Sequence, residues 1–173
     1  MNASNSMRPL TASVIYAQPS SPEPQLLARL RRRSRLELGA YETAPRTARG
    51  HIARVLEEWS LAEFGDVTAL IASELITNSF QETERYSWAM RPPVRLWLRA
   101  GPPGVALLVW DAIAAPPAPR AAAETDETGR GLTIVAELSA ACGFYPSADP
   151  PGKVTWSVIT TPLAMPRKEP ANG

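Results

Sequence analysis

The chain has 173 residues, which is enough for one domain with a hydrophobic core, and its formal net charge is +1. A charge so close to neutral creates no global field toward nucleic acid or a membrane, one cysteine excludes an internal disulfide, and one histidine excludes a multi-histidine metal cluster. Because no apolar run approaches the roughly 20 residues that span a bilayer and no secretion-signal pattern is present, we expect a cytoplasmic protein.

The first 33 residues are rich in Ser, Pro and Asn, show no sustained apolar period, and predict a flexible N-terminal tail. This tail ends in the basic stretch LLARLRRRSR, which is typical of a solvated linker but also fits a docking arm for an acidic partner. The near-neutral chain argues against nucleic acid as that partner. A second flexible tail is predicted over 162–173, so the folded domain is expected to span 34–161.

The first predicted elements are a strand and two helices. RLELGAYE, residues 35–42, alternates between polar and apolar residues as a strand does. Thr43 as a cap and Pro45 in the first turn predict the start of a helix. A longer helix is predicted over about 62–81, where the apolar residues Val67, Leu70, Ile71 and Leu75 recur at helical spacing.

The second half of the chain predicts a hairpin, a loop, a helix and two closing strands. Residues 93–100 and 104–112 read as strands joined by the Gly/Pro-rich turn AGPPG. The Ala/Pro-rich loop over 113–128 is of a length that usually has a function, such as a lid. GRGLTIVAELSAA then predicts a helix, and CGFYPS and KVTWSVIT predict strands. This order indicates an α+β two-layer sandwich with helices on one face of a mixed or antiparallel sheet, and it does not fit a doubly wound dinucleotide-binding fold.

Glu74 and Asn78 are polar residues within the apolar stripe of the second predicted helix. They lie one helical turn apart and therefore on the same side. A buried carboxylate without a partner costs free energy, so a partner is expected. The two residues could form a structural polar pair, or Asn78 could bind magnesium while Glu74 takes a proton from an attacking hydroxyl group or water.

Two further features follow in chain order. Asp111 ends the second hairpin strand, where it could start a turn or accept a hydrogen bond from an exocyclic amine such as that of adenine. Gly129, Arg130 and Gly131 precede the next helix, where glycines allow close approach of an anion, backbone N–H groups are free and arginine adds a forked donor. The same Gly-Arg-Gly sequence also fits a simple hinge between loop and helix.

These motifs resemble those of the Bergerat-type ATPase fold, which is shared by sensor histidine kinases, type II topoisomerases and anti-sigma-factor serine kinases. SELITNS resembles the N box, VWDAIAAPPAP the second box, TGRGLTIV the glycine box, and GKVTWSVI the last strand. The likeness covers residues 35–160. The short chain and the GRGL and GKxxW patterns are most similar to the anti-sigma-factor kinases, especially those of actinobacterial type.

The resemblance implies a role for each matching residue. Glu74 would be the catalytic general base, Asn78 the Mg²⁺ ligand, Asp111 the acceptor for adenine, and Thr155 part of the adenine pocket. The remaining set would hold the phosphates of ATP; it consists of Gly129, Arg130, Gly131 and Leu132. Members of this family bind ATP and Mg²⁺, often form homodimers, sequester a sigma factor and phosphorylate a serine of an anti-anti-sigma (STAS-domain) partner. Lys153 stands at the matching Gly-Lys position without a clear role.

Two residues depart from the family pattern. Ile113 occupies a position of the second box that is usually Gly or Ser, and Glu82 follows Gln81 where the N box usually continues with a basic residue. These departures favour an alternative in which the fold is a catalytically weak or inactive binding module that acts by protein contact. A sensor-kinase fragment is a third interpretation, but no phospho-acceptor histidine helix is evident, since His51 lies in a different context.

Overall fold

A computed structural model of the chain describes residues 12–39, 41–86, 88, 90–117 and 130–160. Within these ranges, no helix combines the length and the hydropathy that crossing a membrane requires. The chain folds as an α+β structure, which confirms the predicted class.

Five antiparallel strands form one sheet in the order β1-β2-β3-β5-β4. The strands are β1 (Arg32–Leu38), β2 (Val94–Gly101), β3 (Gly104–Asp111), β4 (Ala141–Ala148) and β5 (Pro151–Ile159). The first strand covers 32–38, whereas the sequence predicts 35–42, so the strand begins three residues earlier than predicted. Its exposed arginines alternate with Ser34 and Leu36, so little apolar alternation marks its beginning.

Three longer helices pack on one face of this sheet, and two short ones precede it. The helices are α1 (Ala12–Ile15), α2 (Pro24–Arg29), α3 (Ala44–Glu58), α4 (Gly65–Glu84) and α5 (Gly131–Leu138), with a 3₁₀ turn (Ala62–Phe64) before α4. Helix α4 lies between α3 and α5 and packs on β3. Its apolar residues, among them Val67, Ile71 and Leu75, are buried in the main core between the helices and the sheet.

The N-terminal segment packs on both sides of the sheet: Ala12 and Tyr16 belong to the main core, whereas residues 20–30 cover part of the opposite face. The prediction of a flexible tail over 1–33 is therefore wrong for residues 12–33, where Tyr16 and Leu30 are 2% and 1% exposed. Leu30 belongs to a second apolar cluster that contains Trp110 and Trp156. The indole N–H of Trp156 donates a hydrogen bond of 2.6 Å to the carbonyl oxygen of Ser20. Residues 1–11 and the predicted tail over 162–173 lie outside the described residues.

Candidate functional site

Helix α4 presents Glu74 and Asn78 on one side, next to the start of α5. A Cβ atom added to Gly131, the first residue of α5, would lie 2.6 Å from Oε2 of Glu74. Such a distance is shorter than real Cβ contacts, so only glycine allows this approach without moving the carboxylate. The structure thus brings together Glu74 and Gly131, which are separated by 57 residues in the sequence.

Glu74 and Asn78 are both half-buried, and neither side chain makes a hydrogen bond to another residue in the described ranges. Burial raises the pKa of the Glu74 carboxyl group, because the ionised form loses solvation. A carboxylate with a raised pKa and free acceptor atoms is suited to take a proton. The neutral oxygen of Asn78 is likewise available for a ligand.

Asp111 lies at the end of β3 in a buried network with α4 and β5. The ammonium group of Lys153 donates a 2.8 Å hydrogen bond to Oδ1 of Asp111, and the Ser79 hydroxyl group donates a 2.9 Å bond to Oδ2. The backbone N–H of Ile113 donates a 3.0 Å bond to Oδ1, and its carbonyl oxygen accepts a 3.1 Å bond from Lys153. The side chains of Lys153 and Asp111 are 0% and 1% exposed, so this is a fully buried ion pair.

The Asp111 network uses most of the bonding capacity of its charged groups. A carboxylate has about four acceptor positions, and three of those of Asp111 are filled within the described residues. An ammonium group has three N–H donors, and two of those of Lys153 are bonded within the same residues. The remaining acceptor position is on Oδ2. Asp111 can therefore accept one further hydrogen bond, but a ligand would need local opening to reach it.

Gly152 allows β5 to come close to Asp111. Its φ is +151°, and a Cβ atom there would collide with the carbonyl oxygen of Asp111. Asp111 and Lys153 lie directly opposite each other in the β3–β5 register. The glycine therefore permits the close approach that places the lysine beside the aspartate.

The other predicted site residues are close in sequence to Gly131 or Lys153. Arg130 is exposed and precedes α5, whereas the side chain of Leu132 is buried in the main core, so only its backbone could contact an anion. Thr155 is 3% exposed and lies two residues beyond Lys153, on the same face of β5. Gly129 and residues 118–128 of the predicted lid lie outside the described residues.

Ile113 and Glu82, the two departures from the predicted motifs, both have partners in the structure. Ile113 is buried, and both its backbone N–H and carbonyl groups are bonded to the Asp111–Lys153 pair. It lies directly beside the predicted adenine acceptor. Glu82 forms an ion pair of 3.1 Å with Arg85, which offsets the negative charge at the end of α4.

Two residues of the network have no role in the sequence-based interpretation. Ser79 is part of SELITNS but has no assigned role there, and Lys153 has no assigned partner. A signal for Lys153 exists in β5, where Lys153, Thr155 and Ser157 alternate with apolar residues although both faces of the strand are buried. A polar row facing the helices indicates a polar site between the sheet and α4.

The described residues contain no group of three His, Cys, Asp or Glu side chains that could hold a metal ion by themselves. A Mg²⁺ ion at Asn78 would need further oxygen ligands from a phosphate group and water, which is common for this ion. No protein-family model matches the chain, and a search of curated proteins found no match either. Function therefore has to be inferred from the side chains of the site and from the motif resemblance.

Proposed function

We propose that the chain is an ATP-binding regulatory protein with a Bergerat-type fold that acts as a serine/threonine kinase of the anti-sigma-factor type. Its partners would be a sigma factor and a STAS-domain anti-anti-sigma protein, of which the latter is phosphorylated. The observation that supports this best is the contact between Glu74 and Gly131, with Asn78 one turn along the same helix. A carboxylate lies there against the start of a helix, with an amide that could bind a metal ion one turn away, and these are groups that phosphoryl transfer can use.

Each residue of this site has a chemical task in the proposal. Mg·ATP supplies the phosphoryl group when it is bound. Asn78 offers its amide oxygen to the cation, and the exposed Arg130 adds positive charge beside the N-terminus of α5. Glu74 accepts the proton of the substrate serine. Burial raises the pKa of its carboxyl group toward that of an efficient base. The free position on Oδ2 of Asp111 accepts the adenine amine.

Calorimetric titration of the protein with Mg·ATP tests the binding part of the proposal. We expect saturable binding by the wild type and a loss of at least about tenfold in affinity in Asn78→Ala, which corresponds to about 1.4 kcal/mol. Thr77→Ala is the matched control, since Thr77 is the preceding residue of α4 and lines a different cavity with Tyr41 and Phe80. Absence of heat and of any competition by ATP in the wild type would disprove nucleotide binding.

Transfer of labelled phosphate to a candidate STAS-domain partner tests the catalytic part. We expect Glu74→Gln to abolish transfer while retaining most of the Mg·ATP affinity, because the variant keeps the size of the side chain but cannot accept the proton. Unchanged transfer by this variant would exclude Glu74 as the base.

A non-catalytic binding module with the same fold is the second candidate, and the Asp111–Lys153 pair favours it. The pair is fully buried and occupies one oxygen of the carboxylate that would read adenine. If the wild type binds a partner protein in the same affinity range with and without Mg·ATP, and transfers no phosphate, the module is the better description.

A further inference from the structure

The outward side of the β1–β2 pair, opposite to α3 and α4, concentrates positive charge. Arg33 lies opposite Arg99 in the register, Arg35 opposite Trp97, and Glu37 opposite Arg95. We refer to Arg33, Arg35, Arg95 and Arg99 as the arginine face. Over their whole length β1 and β2 contain five arginines and one acidic residue, which gives them a net charge of +4. Because the net charge of the whole chain is +1, the rest of the chain has a net charge of −3.

Two of these guanidinium groups are held against aromatic rings. The Cζ atom of Arg35 lies 6.0 Å from the ring centre of Trp97, and that of Arg95 lies 4.8 Å from the ring centre of Trp110. Glu37 pairs with both arginines, at 3.5 Å and 2.9 Å. Stacking fixes the plane of a guanidinium group and leaves donors at its edge for an acceptor, which favours binding of carboxylates.

Arg33 and Arg99 are the other half of the arginine face. Neither forms a hydrogen bond or an ion pair with any residue in the described part of the chain. Like charges directly opposite each other destabilise a strand pair, so this pair does not serve the fold. An external anion that lies between the two side chains would remove the repulsion.

The backbone of β1 offers a second binding element beside these side chains. Strand β1 is at the end of the sheet and, among the described strands, pairs only with β2. Unpaired edge groups can bind another strand. A second copy of this chain is disfavoured there, since it would bring its own arginines next to Arg33 and Arg35. A strand with acidic side chains has the complementary charge.

We propose that the β1 edge and the arginine face bind an acidic segment of a partner protein, which adds to the sheet as a strand with Asp or Glu at every second position. Alternate residues of a strand point to the same side and lie about 6.6–6.8 Å apart, so acidic residues at this spacing follow Arg33 and Arg35 along β1. Nucleic acid fits less well, because the chain outside this pair of strands has a net negative charge. This site is separate from the proposed nucleotide site and does not depend on it.

Fluorescence anisotropy with a labelled peptide of alternating glutamate and valine, equal in length to β1, tests this inference. We expect binding that weakens at least about tenfold in Arg33→Glu/Arg35→Glu, since each charge pair is replaced by repulsion. Arg46→Glu/Arg49→Glu, on the exposed surface of α3, is the matched control with the same change in net charge. Circular dichroism of both variants establishes that they fold, and Arg33→Gln/Arg35→Gln gives an independent, milder loss.

Hydrogen exchange separates strand addition from loose attraction. We expect backbone amides of β1 to exchange more slowly when the peptide is added, and those of α3 to remain unchanged. Three results would overturn the proposal: no peptide binding, an equal loss in the α3 control variant, or binding of duplex DNA or phosphatidylserine vesicles as tight as that of the peptide.

Discussion

The two ends of the candidate site differ in how far their polar groups are satisfied. At the end formed by β3 and β5, which we call the paired end, Asp111 and Lys153 are fully buried and bonded to each other, to Ser79 and to Ile113. At the end formed by α4 and α5, the open end, Glu74 and Asn78 are half-buried and have no hydrogen-bond partner in the described residues. The difference indicates that each buried charge at the paired end depends on its partner, while polar groups at the open end are available for a ligand.

The paired end should dominate stability. Lys153→Met removes the ammonium group and leaves Asp111 buried without its counter-charge, so we expect the free energy of unfolding to fall by about 3–5 kcal/mol. Urea unfolding followed by circular dichroism measures the change. Asn78→Ala at the open end is the comparison, and it should lower stability by less than about 1 kcal/mol, because Asn78 has no bonded partner to lose.

The double variant Lys153→Met/Asp111→Leu sharpens the same comparison. Replacing a buried ion pair by apolar side chains of similar volume is often neutral, so most of the loss in the single variant should be recovered. If the double variant is instead as unstable as Lys153→Met, packing rather than charge pairing holds this end together. If the single variant is as stable as the wild type, the two charges are not paired in solution.

Gly131→Ala tests whether the open end depends on the contact between α5 and Glu74. The added Cβ would displace the carboxylate, and we expect at least a tenfold loss of phosphate transfer, about 1.4 kcal/mol in transition-state free energy. Stability should change by less than about 1 kcal/mol, since the end of a flexible side chain can move and alanine favours helix. Gly50→Ala in α3 is the matched control: no atom lies within 4 Å of its added Cβ, and activity should be unchanged. Full activity in Gly131→Ala would show that the contact is not needed.

Local chemistry made much of the fold predictable from the sequence. The Gly/Pro turn AGPPG predicts the β2–β3 hairpin, and its strands lie within one residue of the predicted bounds at each end. The N-terminal segment could not be predicted in this way. Its burial depends on single distant contacts, such as that of Ser20 with Trp156, and not on any period within the segment.

The site was predictable to a similar, partial extent. The spacing of Glu74 and Asn78 places both on one side of α4, because helical geometry is local. The pairing of Asp111 with Lys153 depends on the register of β3 against β5, across 42 residues of sequence. A single sequence contains little information about such a register, so the buried counter-charge of the predicted adenine acceptor could not be foreseen. Whether ATP binds remains a prediction, tested by the titration proposed above.

Glu74→Gln gives the smallest expected change in stability. We expect a gain in stability from this change at the open end, whereas Lys153→Met at the paired end should cause a loss. Burial raises the pKa of Glu74 in the folded state, so protonation of its carboxyl group stabilises the fold. This contribution to stability is complete below the unfolded-state pKa. It is lost as the pH rises through the folded-state pKa. Glutamine resembles the protonated form and does not titrate. The variant should therefore match the wild type at acid pH and exceed its melting temperature at neutral pH, by about 1–3 °C because a half-exposed carboxylate is screened by solvent. Glu57→Gln, on the exposed side of α3, is the control for the substitution itself. A lower melting temperature of Glu74→Gln at neutral pH would mean that the carboxylate is bonded in solution, and that the open end is as satisfied as the paired one.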